Sequence, residues 1–362
     1  MPLMGGLWLS HAFRMPLFFL LAGFLGAAAV GRHGGRAWLR SRGARLGLPL
    51  LVGVILLAPL GGMFDAWVDP SGPSTTPSLA GLAHPRPQHL WFLWYLIVIS
   101  TGWLAARAAI RRIGGRGNRG ARLLVSLAGS SWLVVLLALP CALAIWIAGS
   151  WEAAPPDSFA APAGLLAYYA IFFAVGWLLG DRATGLEALA ANPWRRLAAA
   201  LAVSIPGFWL FAHAHDRGIA DNPWIRLAAL YLSALCCWLL ICGLIGAFRR
   251  FLAQERPAVR YAADASYWIY LSHMLFLVPL QLLLFGWLPS VAQYAVAVLA
   301  TFALTLVTYE LFVRYSAIGQ VLHGRRTRTI HSASRGSRAS SLTSVSASSP
   351  AGSEPATTPT PA

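Results

Sequence analysis

His11 and Arg14 stand one helical turn apart inside residues 7–30, a stretch that is otherwise almost wholly apolar. An arginine near mid-bilayer costs roughly 2.5–3.5 kcal/mol even on lenient insertion scales, so Arg14 is expected to face protein or water. Far along the chain, Ser266, Tyr270 and His273 recur at i, i+4 and i+7, one stripe of a helix. At about 1.5 Å per residue His273 falls near mid-membrane, and His11 reaches a comparable depth, so the two histidines are expected in one layer. Intramembrane polar residues at one level point to a site, and histidine is the usual proton acceptor near neutral pH.

Two further groups fit chemistry of other kinds. Arg42 and Arg45, three residues apart just before Leu46-Gly-Leu-Pro49, share a helix face. They read equally as topology-setting charges or as a phosphate clamp, for which guanidinium is suited by bidentate hydrogen bonding. Trp91, Trp94 and Tyr95, within His89-Leu-Trp-Phe-Leu-Trp-Tyr95, form either an interfacial aromatic belt or a platform for a sugar. No pattern of His, Asp and Cys has metal-ligand spacing.

The elements that must position these residues are membrane helices. Of 362 residues 57% are hydrophobic and only 11% charged, and the mean hydropathy is +0.62. Apolar runs reach the roughly 20 residues needed to cross a bilayer as a helix, with no period-2 pattern of a barrel. The expected fold is an all-α polytopic transmembrane bundle of about nine spans, near 5–30, 47–64, 91–108, 123–149, 163–180, 197–213, 225–247, 265–286 and 291–314. The long fourth run contains Pro140 and is expected to kink or tilt.

Loop charges orient the bundle. The net charge of +16 comes from arginine alone, and 24 of the 28 arginines alternate onto one side, with the C-terminus. By the positive-inside rule that side is cytoplasmic, which leaves the N-terminus outside and places the protein, multi-pass, in the plasma or inner membrane. Arginines dealt out in short loops argue against nucleic acid as a partner; the partner they imply is the bilayer. The loop at 62–90, with His84 and His89, is expected outside. Residues 1–324 form the membrane domain, and 325–362, rich in Arg, Ser, Pro and Thr, form a disordered cytoplasmic tail. No signal peptide is evident, since no basic segment precedes the first apolar run.

Other motifs have plainer readings. Gly115-Arg-Gly-Asn-Arg-Gly120 matches a nucleotide fingerprint on paper but lacks the strand that must precede it. Cys141, Cys236, Cys237 and Cys242 lie in apolar spans without CxxC spacing and read as buried small residues. Asp264 reads as a helix N-cap, and Glu310 with Arg314 as a local i, i+4 ion pair.

Five runs in order carry a wider likeness: His11-Ala-Phe-Arg-Met-Pro-Leu-Phe-Phe with Ala22-Gly-Phe, Arg42-Gly-Ala-Arg45-Leu-Gly-Leu-Pro49, His89-Leu-Trp-Phe-Leu-Trp-Tyr95, Ala265-Ser-Tyr-Trp-Ile-Tyr-Leu-Ser-His273 and Thr308-Tyr-Glu-Leu-Phe-Val-Arg314. With them the sequence resembles the acyltransferase-3 family of integral-membrane O-acyltransferases, particularly the branch concerned with periplasmic glucans and succinyl transfer. The resemblance implies a ten-helix fold that takes an acyl group from a cytoplasmic donor, usually acyl-CoA, to a carbohydrate hydroxyl at or beyond the membrane. No tightly bound cofactor is implied.

Arg42 and Arg45 match the family's R-x-x-R element, which implies a role toward the acyl donor. His11 matches the histidine of the family's second helix, and the first helix, with the family's expected catalytic histidine, has no counterpart in this chain. O-acylation needs a base for the hydroxyl proton and donors for the developing oxyanion. Under this resemblance His11, Arg14 and His273 are the candidate catalytic residues, with Arg14 as electrostatic stabiliser, and Trp91, Trp94, Tyr95 and Tyr270 the candidate acceptor contacts. Two rival expectations stand beside it: a non-catalytic transporter or assembly subunit on the same fold, and a truncated, inactive product whose upstream reading frame encodes a further apolar segment with a histidine. No residue pattern specifies the acyl group, the acceptor or an oligomeric state.

Overall fold

In hydrocarbon a backbone polar group finds no water, so each apolar run must satisfy its own hydrogen bonds, which a helix does. The computed structural model describes residues 2–56, 87–112, 126–127, 130–156, 158–180, 185–213, 222–252, 254 and 256–323, with side chains on the first helix described from Ala12 onward. Among them there are helices and turns and no strand.

Helix α1 spans Pro2–His33 and α2 Gly35–Arg42. A π turn, Gly43–Gly47, leads into α3, residues 48–56. A 3-10 turn, Gln88–Leu90, opens α4, Trp91–Arg112. Then come α5 (Ser131–Ile147), α6 (Ala163–Gly180), α7 (Gly185–Leu189), α8 (Pro193–His213), α9 (Pro223–Phe251), α10 (Pro257–Leu284) and α11 (Ser290–Thr308). A second π turn, Tyr309–Val313, precedes α12, Ala317–His323. Seven of the described helical segments are long and apolar enough to cross a membrane. The all-α, polytopic architecture is therefore as expected.

One span differs in length from its expectation. The fourth run shortens to 17 residues because Ser130 caps α5, its hydroxyl accepting from the Trp132 amide at 3.1 Å. Of the run at 47–64, only the part through residue 56 lies within the described residues. The Gly115–Gly120 motif, His84 and the tail beyond residue 323 lie outside them.

A second difference concerns Asp264, which lies in the second turn of α10 rather than at its N-cap. Pro257, whose missing N–H suits a first helical position, starts α10 seven residues earlier, behind Arg256.

The core forms where small residues let backbones approach. α1 lies along α6 with Gly23 against the Phe173 carbonyl and Gly176 against that of Leu20, and a Cβ at either glycine would collide with that carbonyl. α9 packs along α5 and α8, and the four cysteines sit there as free, buried thiols, as their setting in the sequence suggested. Trp238 stacks on Phe172 at 4.4 Å and donates its indole N–H to Cys141 Sγ at 3.4 Å, which satisfies an otherwise orphaned donor.

α10 and α11 form a hairpin, and a small separate core of Ala265, Tyr309, Val313 and Leu322 joins α10 to the second π turn and α12. Glu310 and Arg314 form the expected ion pair on the π turn, at 2.7 Å. The hairpin meets the helices of the main core through Tyr267, Tyr270, Leu271, Met274 and Leu275.

Candidate active site

The site is built on α10. Tyr267, Tyr270 and His273 follow one another at intervals of three, down one side of the helix. Tyr267 donates its hydroxyl to the Arg45 carbonyl at 2.6 Å, and Tyr270 donates to the His89 carbonyl at 2.7 Å. Each tyrosine thereby pins a different irregular turn: the π turn at 43–47 and the 3-10 turn at 88–90. His273 lies about 9 Å above Tyr267 along the axis. Ser266, expected in the same stripe, is exposed and bonds back to the Ala263 carbonyl.

At the arginine-rich end a cavity of about 540 Å³ is lined by Arg32, His33, Ser41, Arg42 and Arg45, with Trp38 and Leu25 among its apolar walls. Arg42, the last residue of α2, lies 4.7 Å from the Trp38 ring and donates to the Ala22 carbonyl at 3.2 Å. Burial pushes its guanidinium down to about 10, with the nearby Arg45 charge adding to the effect and Tyr267 opposing it. It still carries its charge at neutral pH. Among the described residues no carboxylate pairs with it, so a desolvated cation lines a cavity with a second cation three residues away. That arrangement favours a polyanion. The structure thus brings Arg42 and Arg45 together as their spacing implied, although a π turn rather than a continuous α-helix does it; π turns recur at functional sites.

About 24 Å from the Pro257 end of α10, His273 donates from Nδ1 to the Tyr270 carbonyl at 2.8 Å. A carbonyl only accepts, so the neutral ring holds its proton on Nδ1 and its lone pair on Nε2. Facing it edge-to-face, with centroids 4.7 Å apart, is His89. Neither ring nitrogen of His89, both buried, makes a hydrogen bond, though the Leu271 and Tyr270 carbonyls lie alongside. The residue before it, Gln88, has φ 44, a left-handed conformation in which a non-glycine residue stores about 1–3 kcal/mol of strain.

His89 was expected in an outer loop. The structure instead sinks the start of α4 to the level of His273, about 16 Å short of the far end of α10. In the sequence His89 stands in that loop and at the head of an aromatic run, with no chemistry assigned to it. Its signal, a histidine opening an apolar segment after a Pro-rich one, is too common to single it out.

Arg14 is exposed on α1, one turn from Phe18, whose ring is 5.9 Å from Phe92, which in turn is 6.0 Å from Tyr270. His11, Arg14 and Phe18 occupy i, i+3 and i+7 of α1, one face in register; the His11 side chain itself lies outside the described residues. Trp91 and Tyr95 are enclosed in the aromatic core, the former at 3% exposure and the latter at 0%, and pack edge-to-face on each other. Rings so enclosed have no free face for a sugar. Trp94 is half-buried, its indole N–H held by the Phe159 carbonyl at 3.1 Å.

A histidine in mid-bundle and an arginine-lined cavity at one end are thus linked along one helix, through Tyr267. The acyltransferase domain family matches residues 2–310. The chain belongs to the acyltransferase-3 family. Its described helices are thus those of a membrane acyltransferase. Among curated proteins this acyltransferase is similar to glucans biosynthesis protein C of Escherichia coli O157:H7, 26% identical over 289 residues, which cover 74% of this chain and 71% of the relative. It matches glucans biosynthesis protein C of Escherichia coli strain K12 / DH10B at the same identity and coverage. No solved structure matches the chain.

Proposed function

We propose that this acyltransferase takes an acyl group from a thioester donor held at the Arg42–Arg45 cavity and places it on a hydroxyl of a carbohydrate that reaches His273 from the opposite end. The observation that carries this reading is the single helix α10, which ties the cavity rim through Tyr267 and carries His273 about 9 Å deeper. A donor with phosphates, such as acyl-CoA, fits the paired guanidiniums.

The positive-inside rule makes the arginine-rich end, and with it the C-terminus, cytoplasmic, the side on which such donors are made. The relatives' name points to a glucan as the acceptor. In this reading His273 Nε2 takes the hydroxyl proton, and the His11–Arg14 face of α1 lines the acceptor's approach, with Arg14 favouring developing negative charge. Trp94 offers the acceptor its open side.

The test is transfer itself. Purified protein in sealed vesicles, given labelled acetyl- or succinyl-coenzyme A on one side and a short glucan oligosaccharide on the other, is expected to yield base-labile label on the sugar. Absence of labelled ester with both donors, from protein shown to be folded, overturns the reading in favour of a non-catalytic role.

A further inference from the structure

We propose that His89 supplies the hydrogen bond that holds the oxyanion during acyl transfer, making it a second histidine of the site beside His273. The proposal rests on the acyl-transfer reading above and assigns a task that reading leaves open.

Three observations place His89 in that role. Its ring faces His273 with centroids 4.7 Å apart, at the level where transfer would occur. Both its ring nitrogens are buried and make no hydrogen bond, whereas His273 has its Nδ1 committed to its own helix. Buried polar atoms are nearly always paired, and those that are not call for an explanation. The ring is also held in place from outside itself: Tyr270 bonds its carbonyl at 2.7 Å, and Gln88 keeps the preceding turn in a left-handed conformation. A neutral imidazole fixed in position offers one N–H to a carbonyl oxygen without being consumed, the preorganised donor that acyl transfer requires.

The step balances. The acceptor oxygen attacks the thioester carbonyl carbon, a C–O bond forms, and the hydroxyl proton moves to His273 Nε2. Negative charge gathers on the former carbonyl oxygen, where the His89 N–H meets it. Collapse re-forms the carbonyl and breaks the C–S bond, and the proton on His273 passes to the departing sulfur. The products are an ester and a thiol, with both histidines as they began.

A donor and a base fail differently. His89→Phe fills the space without an N–H, and kcat is expected to fall about 100- to 1,000-fold with KM for acetyl- or succinyl-coenzyme A within about twofold. His89→Gln restores an N–H and is expected to stay within about tenfold of wild type, whereas His273→Gln, which has no base, is expected to be as slow as His89→Phe. Retention of wild-type kcat by His89→Phe overturns the inference alone. So does a His89→Gln as slow as His89→Phe. Should His89→Phe not fold, the infrared stretch of the bound thioester carbonyl decides. It is expected at lower frequency than in solution for both wild type and His89→Gln, and an unshifted band in wild type overturns the proposal. A wild-type protein that transfers nothing overturns the acyl-transfer reading, and this inference with it.

Discussion

Arg42 is a half-buried charge at the edge of the cavity. Its guanidinium is desolvated enough to lower its pKa to about 10, and its partners are a carbonyl and an aromatic face rather than a carboxylate. Breaking no ion pair, Arg42→Met is expected to leave the melting temperature in detergent unchanged or slightly higher, since apolar replacements of desolvated charge are often neutral or stabilising. The same variant is expected to abolish the rise in melting temperature that acyl-coenzyme A gives wild type, a rise that follows from binding to the folded state only. A wild-type-sized rise in the variant would show that the donor does not sit on Arg42.

Local spacing and distant contacts are not equally legible in a sequence. Tyr270 and His273 were visible because helical spacing is local, and Arg42 and Arg45 likewise. His89 meets His273 only because α4 starts deep, a contact between positions 184 residues apart that no local pattern announces. Trp91 and Tyr95 misled in the opposite sense: an aromatic run reads alike whether it coats an interface or fills a core.

At the scale of the element, the α1–α6 pair depends on glycine. The Leu20 carbonyl occupies the space a Cβ on Gly176 would need, and being backbone it cannot swing away. Gly176→Ala is expected to destabilise by about 1–3 kcal/mol, as overpacking does, read as a lower unfolding midpoint in detergent. Gly102→Ala on α4 is the matched control. Nothing lies within 4 Å of its added methyl, and helix propensity favours the change. Equal effects at the two positions would remove close packing as the cause. Apolar length and arginine alternation were enough to read most of these helices from the chain. Their ends were read less well, because Ser130 and Pro257 set the true starts of α5 and α10 through one hydroxyl and one missing N–H, inside sequence that is uniformly apolar or mixed.

For the whole molecule, the chemistry requires an orientation. The π turns at 43–47 and 309–313 both touch α12, so the turn that holds Arg45 and the turn that Arg314 follows share one end of the bundle. If that end is cytoplasmic, a cysteine introduced as Ser340→Cys is expected to react with a membrane-impermeant maleimide in inverted vesicles and not in intact cells. The four native cysteines, buried in the bundle, add little background. Labelling in intact cells would reverse the topology and put the arginine cavity on the wrong side for a cytoplasmic donor.

The glycine-lined contact between Gly23 and Gly176 has a consequence in time. The two surfaces are separated by about 150 residues of synthesis, which at 5–20 residues per second is roughly 8–30 s. Throughout that interval α1 is already made, and the bared backbone along its Gly23–Gly26 face waits in the membrane for a partner still on the ribosome. The helix that bears His11 and Arg14 therefore needs company before α6 exists, from the insertion machinery or from α2 and α4, and its capture by α6 marks the moment at which the site begins to close.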